Sequence, residues 1–185
     1  GLAIIDEQHR FGVEQRNKLA NKGKQTDILL MSATPIPRSL NMTYYGDIES
    51  SRLLEKPQGR KPIITSAISM DKLDNLIDRL SVQVQEGAKI SWICPLVEES
   101  EKLDLIAATE RYEYLQQFFK VGLAHGKMSP EERSETILNF RNSNIEILVA
   151  TTVIEVGVDV PDASIIIIEQ AERFGLSQLH QLRGR

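Results

Sequence analysis

Short aliphatic runs that stop abruptly at polar residues limit what this chain can fold into. Leu2-Ala3-Ile4-Ile5 ends at Asp6-Glu7, and Ile28-Leu29-Leu30-Met31 ends at Ser32-Ala33-Thr34. Further runs occupy residues 63–68, 90–94, 121–124, 145–150 and 164–168. Each is too short for a helix and reads as a strand, most of them apolar on both faces. Helix-compatible stretches lie between them. Residues 14–22 are charged, and residues 71–86 place Leu73, Leu76, Ile77, Leu80 and Val84 along one face. A further helix is expected around residues 105–119. Ser129-Pro130-Glu131-Glu132 is a strong helix start, with serine placed to cap and proline at the first helical position. Strands alternating with helices predict an α/β fold with a parallel sheet flanked by helices.

The alternation is interrupted once. Across residues 47–62 no periodicity survives, and Pro57, Gly59 and Pro62 flank Arg60-Lys61, as in a linker. Residues 1–46 then form part of one α/β unit and residues 63–185 most of a second. A length of 185 residues suits one large domain or two small ones, and 41% hydrophobic with 26% charged residues is ordinary for a globular protein. The longest aliphatic run, Ile165-Ile166-Ile167-Ile168, is far from the ~20 apolar residues of a membrane span, so no membrane role is expected. Gly1 opens directly into an apolar segment without the charged start of a secretory leader. Cys94 is the only cysteine, which excludes an intrachain disulfide and a thiolate zinc cluster and suits a reducing cytoplasm. The net charge of −4 argues against nonspecific adhesion to nucleic acid but leaves room for a local phosphate-binding groove.

Several strings carry chemistry. Asp6-Glu7 sits at the carboxyl end of a strand, where open α/β sheets bind ligands. One carboxylate there can hold Mg²⁺ through water while its neighbour orients or deprotonates an attacking water. Alone, the pair reads as a solvated strand end, and Ser32-Ala33-Thr34 as hydroxyls finishing a strand. His125-Gly126 follows a strand and precedes the capped helix carrying Arg133. Glycine allows backbone to approach a phosphate, and a helix start offers free N–H groups. A plain turn would look the same. No Gly-x-x-x-x-Gly-Lys-Ser/Thr string occurs; Gly23-Lys24 comes nearest, but Lys18 stands where the first glycine is needed and Gln25 follows the lysine.

Taken together, these strings resemble the RecG family of DExH-type superfamily 2 motors. The stretch Asp6-Glu7-Gln8-His9-Arg10-Phe11-Gly12-Val13 resembles motif II in its RecG form, and Ser32-Ala33-Thr34 followed by Pro35-Ile36-Pro37-Arg38 resembles motif III. Trp92-Ile93-Cys94-Pro95-Leu96-Val97-Glu98-Glu99-Ser100 is similar to the motif IV region. The strongest string, Ala150-Thr151-Thr152-Val153-Ile154-Glu155-Val156-Gly157-Val158-Asp159-Val160-Pro161, closely resembles motif V. Gln178-Leu179-His180-Gln181-Leu182-Arg183-Gly184-Arg185 resembles motif VI, which ordinarily continues Val-Gly-Arg.

The resemblance implies two RecA-like domains, the carboxyl-terminal part of the first and most of the second. It also implies ATP and Mg²⁺ as cofactors. Asp6 would hold magnesium, Glu7 would activate water, and Arg185 would be the first of two arginines facing the γ-phosphate. Gln8, His9, Ser32, Thr34, Gly157, Asp159 and Gln181 would couple the ATP site to movement, while His125, Gly126 and Thr151 would lie against DNA. Relatives that unwind RNA often carry Asp at the Thr152 position and Arg at the Val156 position, so those contacts do not transfer. Trp92 is expected in the core, Glu98 and Glu99 at the surface, and Glu155 reads equally as a solvated loop carboxylate.

The implied activity is ATP-dependent remodelling of branched DNA, such as stalled forks and Holliday junctions, in recombination and repair. The implied setting is the bacterial cytoplasm, at the nucleoid. Without the phosphate-cradling loop and the second arginine, this chain by itself is expected to be inactive. Its incomplete first unit is expected to favour self-association. Within the motor class, the alternative is the transcription-repair coupling factor; Gln8-His9 and the string from Trp92 to Ser100 speak against it. Outside that class, the alternative is a noncatalytic interaction module with a motor-like sequence.

Overall fold

In the computed structural model the described residues are 1–6, 26–32, 49–53, 55, 62–95, 101–151 and 163–184. The chain divides into two compact units, Gly1–Lys61 and Pro62–Arg185. In the first, β1 (Leu2–Ile5) pairs in parallel with β2 (Asp27–Leu30), Leu2 opposite Asp27 and Ile5 opposite Leu30. Ile5 is buried, whereas Leu2, Ile4, Ile28 and Leu29 remain exposed. The helix expected at residues 14–22 falls outside the described residues.

Among the described residues, the second unit is a four-stranded, wholly parallel sheet in the order β4-β5-β3-β6. Its strands are β3 (Lys89–Cys94), β4 (Val121–Ala124), β5 (Ile147–Thr151) and β6 (Ala163–Ile168). The α-helices described with them are α1 (Leu73–Gln85), α2 (Glu101–Leu115), α3 (Pro130–Arg141) and α4 (Leu176–Arg183). The period of two along each strand sends alternate side chains to opposite faces. On one face Ile90, Trp92, Cys94, Ile147 and Val149 pack with Ile77 and Leu80 of α1 and with Ala108 and Leu115 of α2. On the other, Ile93, Leu148, Ala150 and Ala124 pack with Phe140 of α3 and Leu182 of α4. Both faces are covered, which explains why β5 is buried along its whole length.

Two local features seat the strands. The β3–β6 register shifts between Lys89 and Ile90, so Ala163 opposes Lys89 while Ile165 opposes Ile90. That bulge puts Ala163 on the same face as Ile166 and Ile168. Gly122 lies where a Cβ would come within 2.7 Å of Ile145 Cδ1 and 3.2 Å of Thr136 Cγ2, so its bareness lets α3 settle on β4.

Most sequence expectations for the second unit hold, with two corrections. Residues 63–68, which read as a strand in the sequence, do not form one; Ile64 is 91% exposed, and among the described residues the segment joins no ladder. A strand needs a partner edge, and β-propensity cannot supply one. The sheet thus has four strands among the described residues, not the five expected. The helix expected over residues 105–119 runs instead from Glu101 to Leu115. It closes with Phe118 N and Phe119 N both donating to Leu115 O at 3.0 Å, which tucks Phe119 into the core. The expected start of α3 is present in full. Ser129 Oγ accepts from Glu132 N at 3.2 Å, and Glu132 Oε2 accepts from Ser129 N at 2.9 Å.

Candidate functional site

Parallel strands bring their carboxyl ends to one edge of a sheet, and Asp6, Ser32, His125, Gly126 and Thr151 lie at or just past such ends. In the first unit Asp6 follows β1 and Ser32 stands just past β2. Met31 N donates to Ile5 O at 2.8 Å, extending the ladder by one step and drawing the two strand ends together. Glu7, Gln8, His9 and Thr34 lie outside the described residues, as do Gly157, Asp159 and Arg185 in the second unit.

In the second unit Thr151 ends β5 opposite Cys94, the last residue of β3. On its other side Ala150 pairs with Ala124, after which come His125 and Gly126. Thr151 is only 3% exposed and is the one buried polar residue among those described. His125, Gly126 and Thr151 are therefore brought together at adjacent strand ends by the register itself.

The turn after β4 is built by its own polar groups. Met128 N donates to His125 O at 3.2 Å, and Lys127 N donates to His125 Nδ1 at 3.2 Å. The imidazole is thus an acceptor at Nδ1 and carries its proton on Nε2 when neutral. Partial burial, then the Lys127 charge, lowers its pKa below the ordinary value; Glu132 opposes this and Arg133 adds to it. Arg133 Nη2 donates to Met128 O at 3.3 Å and reaches Gly126 O at 3.5 Å, tying α3 to the turn, while its buried Nε has no partner. The capping box modifies one expectation: Ser129 N and Glu132 N are already engaged, and the Glu132 carboxylate sits at the helix start. That start is less open to an anion than the sequence implied.

Helix α4 carries the last expected residue. Gly175 N donates to Gln178 Oε1 at 3.0 Å, and Leu182 anchors the helix in the core. Gln181 is half-buried. His180 is exposed.

Sequence reasoning missed one group at this edge. Glu169 comes directly after β6, and its carboxylate receives Arg111 Nη2 at 2.7 Å, Arg111 Nε at 3.0 Å and Trp92 Nε1 at 3.0 Å. Arg111 also lies over the rings of Trp92 and Tyr114, 5.5 and 5.6 Å from their centroids. Burial works against the Arg111 charge, but the hydrogen bond and charge of Glu169 outweigh it, and the guanidinium pKa is raised. Cys94, 4.0 Å from Glu169, has its thiol pushed up to about 12 by burial first and by that carboxylate second. Glu169 had the signal that singled out Asp6, a carboxylate ending an aliphatic strand. Its partner Arg111 had none.

Chemically, this edge offers a buried hydroxyl, a neutral imidazole and a tightly held ion pair. Among the described residues no group of three or more His, Cys, Asp or Glu side chains is arranged to hold a metal ion. No helix there is long and apolar enough to cross a membrane.

Comparison with known proteins gives a consistent picture. Residues 70–185 match the family model described as the helicase conserved C-terminal domain. The whole chain is 51% identical to the ATP-dependent DNA helicase RecG of Thermotoga maritima and 50% identical to that of Bacillus subtilis. It covers only 24% and 28% of those two relatives, about a quarter of their length. Among solved structures it is similar to a RecG bound to a three-way DNA junction, with TM-score 0.73, 46% identity, all of this chain covered and 24% of the other. A yeast Dbp5 bound to RNA and ADP BeF3 shares the fold at TM-score 0.66 and 20% identity, covering all of this chain and 49% of the other.

Proposed function

The chain belongs to the family of helicase conserved C-terminal domains, and from that premise we propose that it works as the central part of an ATP-dependent motor that remodels branched DNA. The observation that carries this reading is its likeness, over its full length, to RecG relatives about four times as long. The gathering of His125, Gly126 and Thr151 at adjacent strand ends supports it, because a phosphate backbone can run along such an edge. In this reading residues 1–46 contribute the end of a first RecA-like domain, 47–62 a linker, and 63–185 most of a second.

Magnesium and ATP would be held at the first unit's strand ends. Asp6 is exposed at the end of β1, a position suited to binding Mg²⁺ through water, and Ser32 stands beside it at the end of β2. Glu7 takes the proton of the attacking water, and Arg185 neutralises charge on the transferred phosphoryl group. Thr151, His125 and Gly126 hold a DNA strand, while Gln8, His9, Thr34, Gly157, Asp159 and Gln181 couple hydrolysis to movement. The working site is the bacterial cytoplasm, at the nucleoid.

The test uses the longer protein that carries this chain. It should hydrolyse ATP faster with three- or four-way DNA junctions than with linear duplex, and Glu7→Gln should bind ATP but turn over at least ~10²-fold more slowly. The 185-residue chain alone should be inactive, since it has no phosphate-cradling string. Near-normal turnover by Glu7→Gln would remove Glu7 as the base. Hydrolysis indifferent to DNA would remove the motor reading.

A further inference from the structure

The ion pair at the end of β6 joins elements that are far apart in sequence. Glu169 receives donors from α2 through Arg111, 58 residues away, and from β3 through Trp92, 77 residues away. Its own backbone N donates to Ile93 O at 2.9 Å, so main chain and side chain are both fixed to the sheet. The arginine meets the carboxylate through two nitrogens, a geometry that sets orientation as well as distance. With side chains only 15% and 12% exposed, the pair is shielded from water.

A short, stiff path leads from Glu169 to α4. Gln170 adopts φ 49° and ψ 52°, the left-handed region that a non-glycine residue enters only when its surroundings hold it there. A single 3-10 turn, Ala171–Arg173, comes next, with Arg173 N donating to Gln170 O at 2.9 Å. Phe174 is buried in the same cluster as Leu182, and Gly175 begins α4. From the clamped carboxylate to the helix bearing Gln181, few backbone torsions are left unconstrained.

We propose that Glu169, gripped by Arg111 and Trp92, is a positioning residue that fixes where α4 and Gln181 stand relative to the carboxyl edge of the sheet. Its consequence for turnover rests on the motor reading above; its consequence for α4 does not. Glu169→Gln keeps an oxygen for Trp92 but leaves Arg111 without a counter-charge in a shielded place. Arg111→Lys keeps the charge and loses the two-pronged grip. In both variants the turn at Gln170 keeps its bonds to β3 but loses the two-pronged Arg111 grip, and α4 can shift without unfolding the sheet.

The experiment has two arms. In the 185-residue chain, hydrogen exchange is followed in both variants and in Glu172→Gln, an exposed neighbour used as control. Trp92, the only tryptophan, reports the clamp by its emission. Exchange over residues 169–183 should rise at least ~5-fold while β4 and β5 keep their protection, with altered Trp92 emission in both variants and none in the control. In the longer protein, both variants should lower DNA-stimulated kcat about tenfold or more, with KM for ATP changed less than about twofold. Exchange that stays unchanged, or rises equally across the whole sheet, overturns the proposal. So does an unaltered kcat in a variant whose α4 has loosened. If α4 responds locally but the unsubstituted longer protein shows no DNA-dependent hydrolysis, the positioning role stands and the motor reading falls.

Discussion

At the turn after β4, His125 is surrounded by partial burial, the Lys127 charge and the Arg133 guanidinium, with only Glu132 opposing them. These influences favour the neutral ring in the folded chain, so its pKa lies below the ordinary 6.5. The unfolded chain therefore takes up a proton first as pH falls, and the contribution to stability is complete above about 6.5 and is lost as pH drops through the folded value. In a proton NMR titration, the ring resonance assigned to His125 should move with a midpoint below the ordinary 6.5. A midpoint at or above 6.5 would contradict the arrangement. The placing of His125, Gly126 and Thr151 at strand ends was legible because short aliphatic runs that stop at polar residues mark those ends; the DNA role given to Thr151 came from the resemblance alone. The Arg111–Glu169 pair was not. Its members are 58 residues apart and meet only when α2 and β6 have both docked on β3.

Elements were legible in proportion to how local their causes are. The start of α3 is written in four consecutive residues, and both reciprocal bonds of the capping box form as that spelling implies. Ser129→Ala should therefore lower the unfolding free energy by about 1 kcal/mol, measured by urea denaturation at neutral pH. Backbone N–H donation from Ser129 chiefly holds the Glu132 carboxyl below its ordinary range. That support is present above about 4.5 and is lost as pH falls through the lowered value. The backbone donor survives in Ser129→Ala, so wild type and variant should both lose stability across this window, and the gap between them should narrow only by the hydroxyl's smaller share. An unchanged stability in the variant would mean that the box contributes nothing. Residues 63–68 show the opposite case. Their composition favours a strand, but pairing depends on an edge supplied elsewhere, and no local signal reports whether that edge is free. The end of α2 lies between these cases: the apolar period continues to Phe119, yet tucking that ring into the core requires the helix to stop at Leu115.

On the scale of the whole chain, the two units differ in how completely they cover their own sheets. The second encloses β3 and β5 between helices on both faces, with one buried core cluster on each face. The first presents, among its described residues, a two-stranded sheet with Leu2 64% and Ile4 59% exposed and with Ile28, Leu29 and Met31 also open to solvent. Two strands alone hold together weakly in water, and open apolar edges invite pairing with another chain. Amide exchange should therefore be fast over residues 2–5 and 27–30 and slow over 89–94 and 147–151. Alternatively, the first set becomes protected as protein concentration rises, because a second copy covers it. Sedimentation across a concentration series separates these outcomes. In the first, the chain stays monomeric with an open β1–β2 pair. In the second, mass and protection rise together. Strong protection of β1 and β2 in a chain that remains a monomer at every concentration would show that this exposed pair is stable by itself, and self-association through the first unit would then have no physical basis.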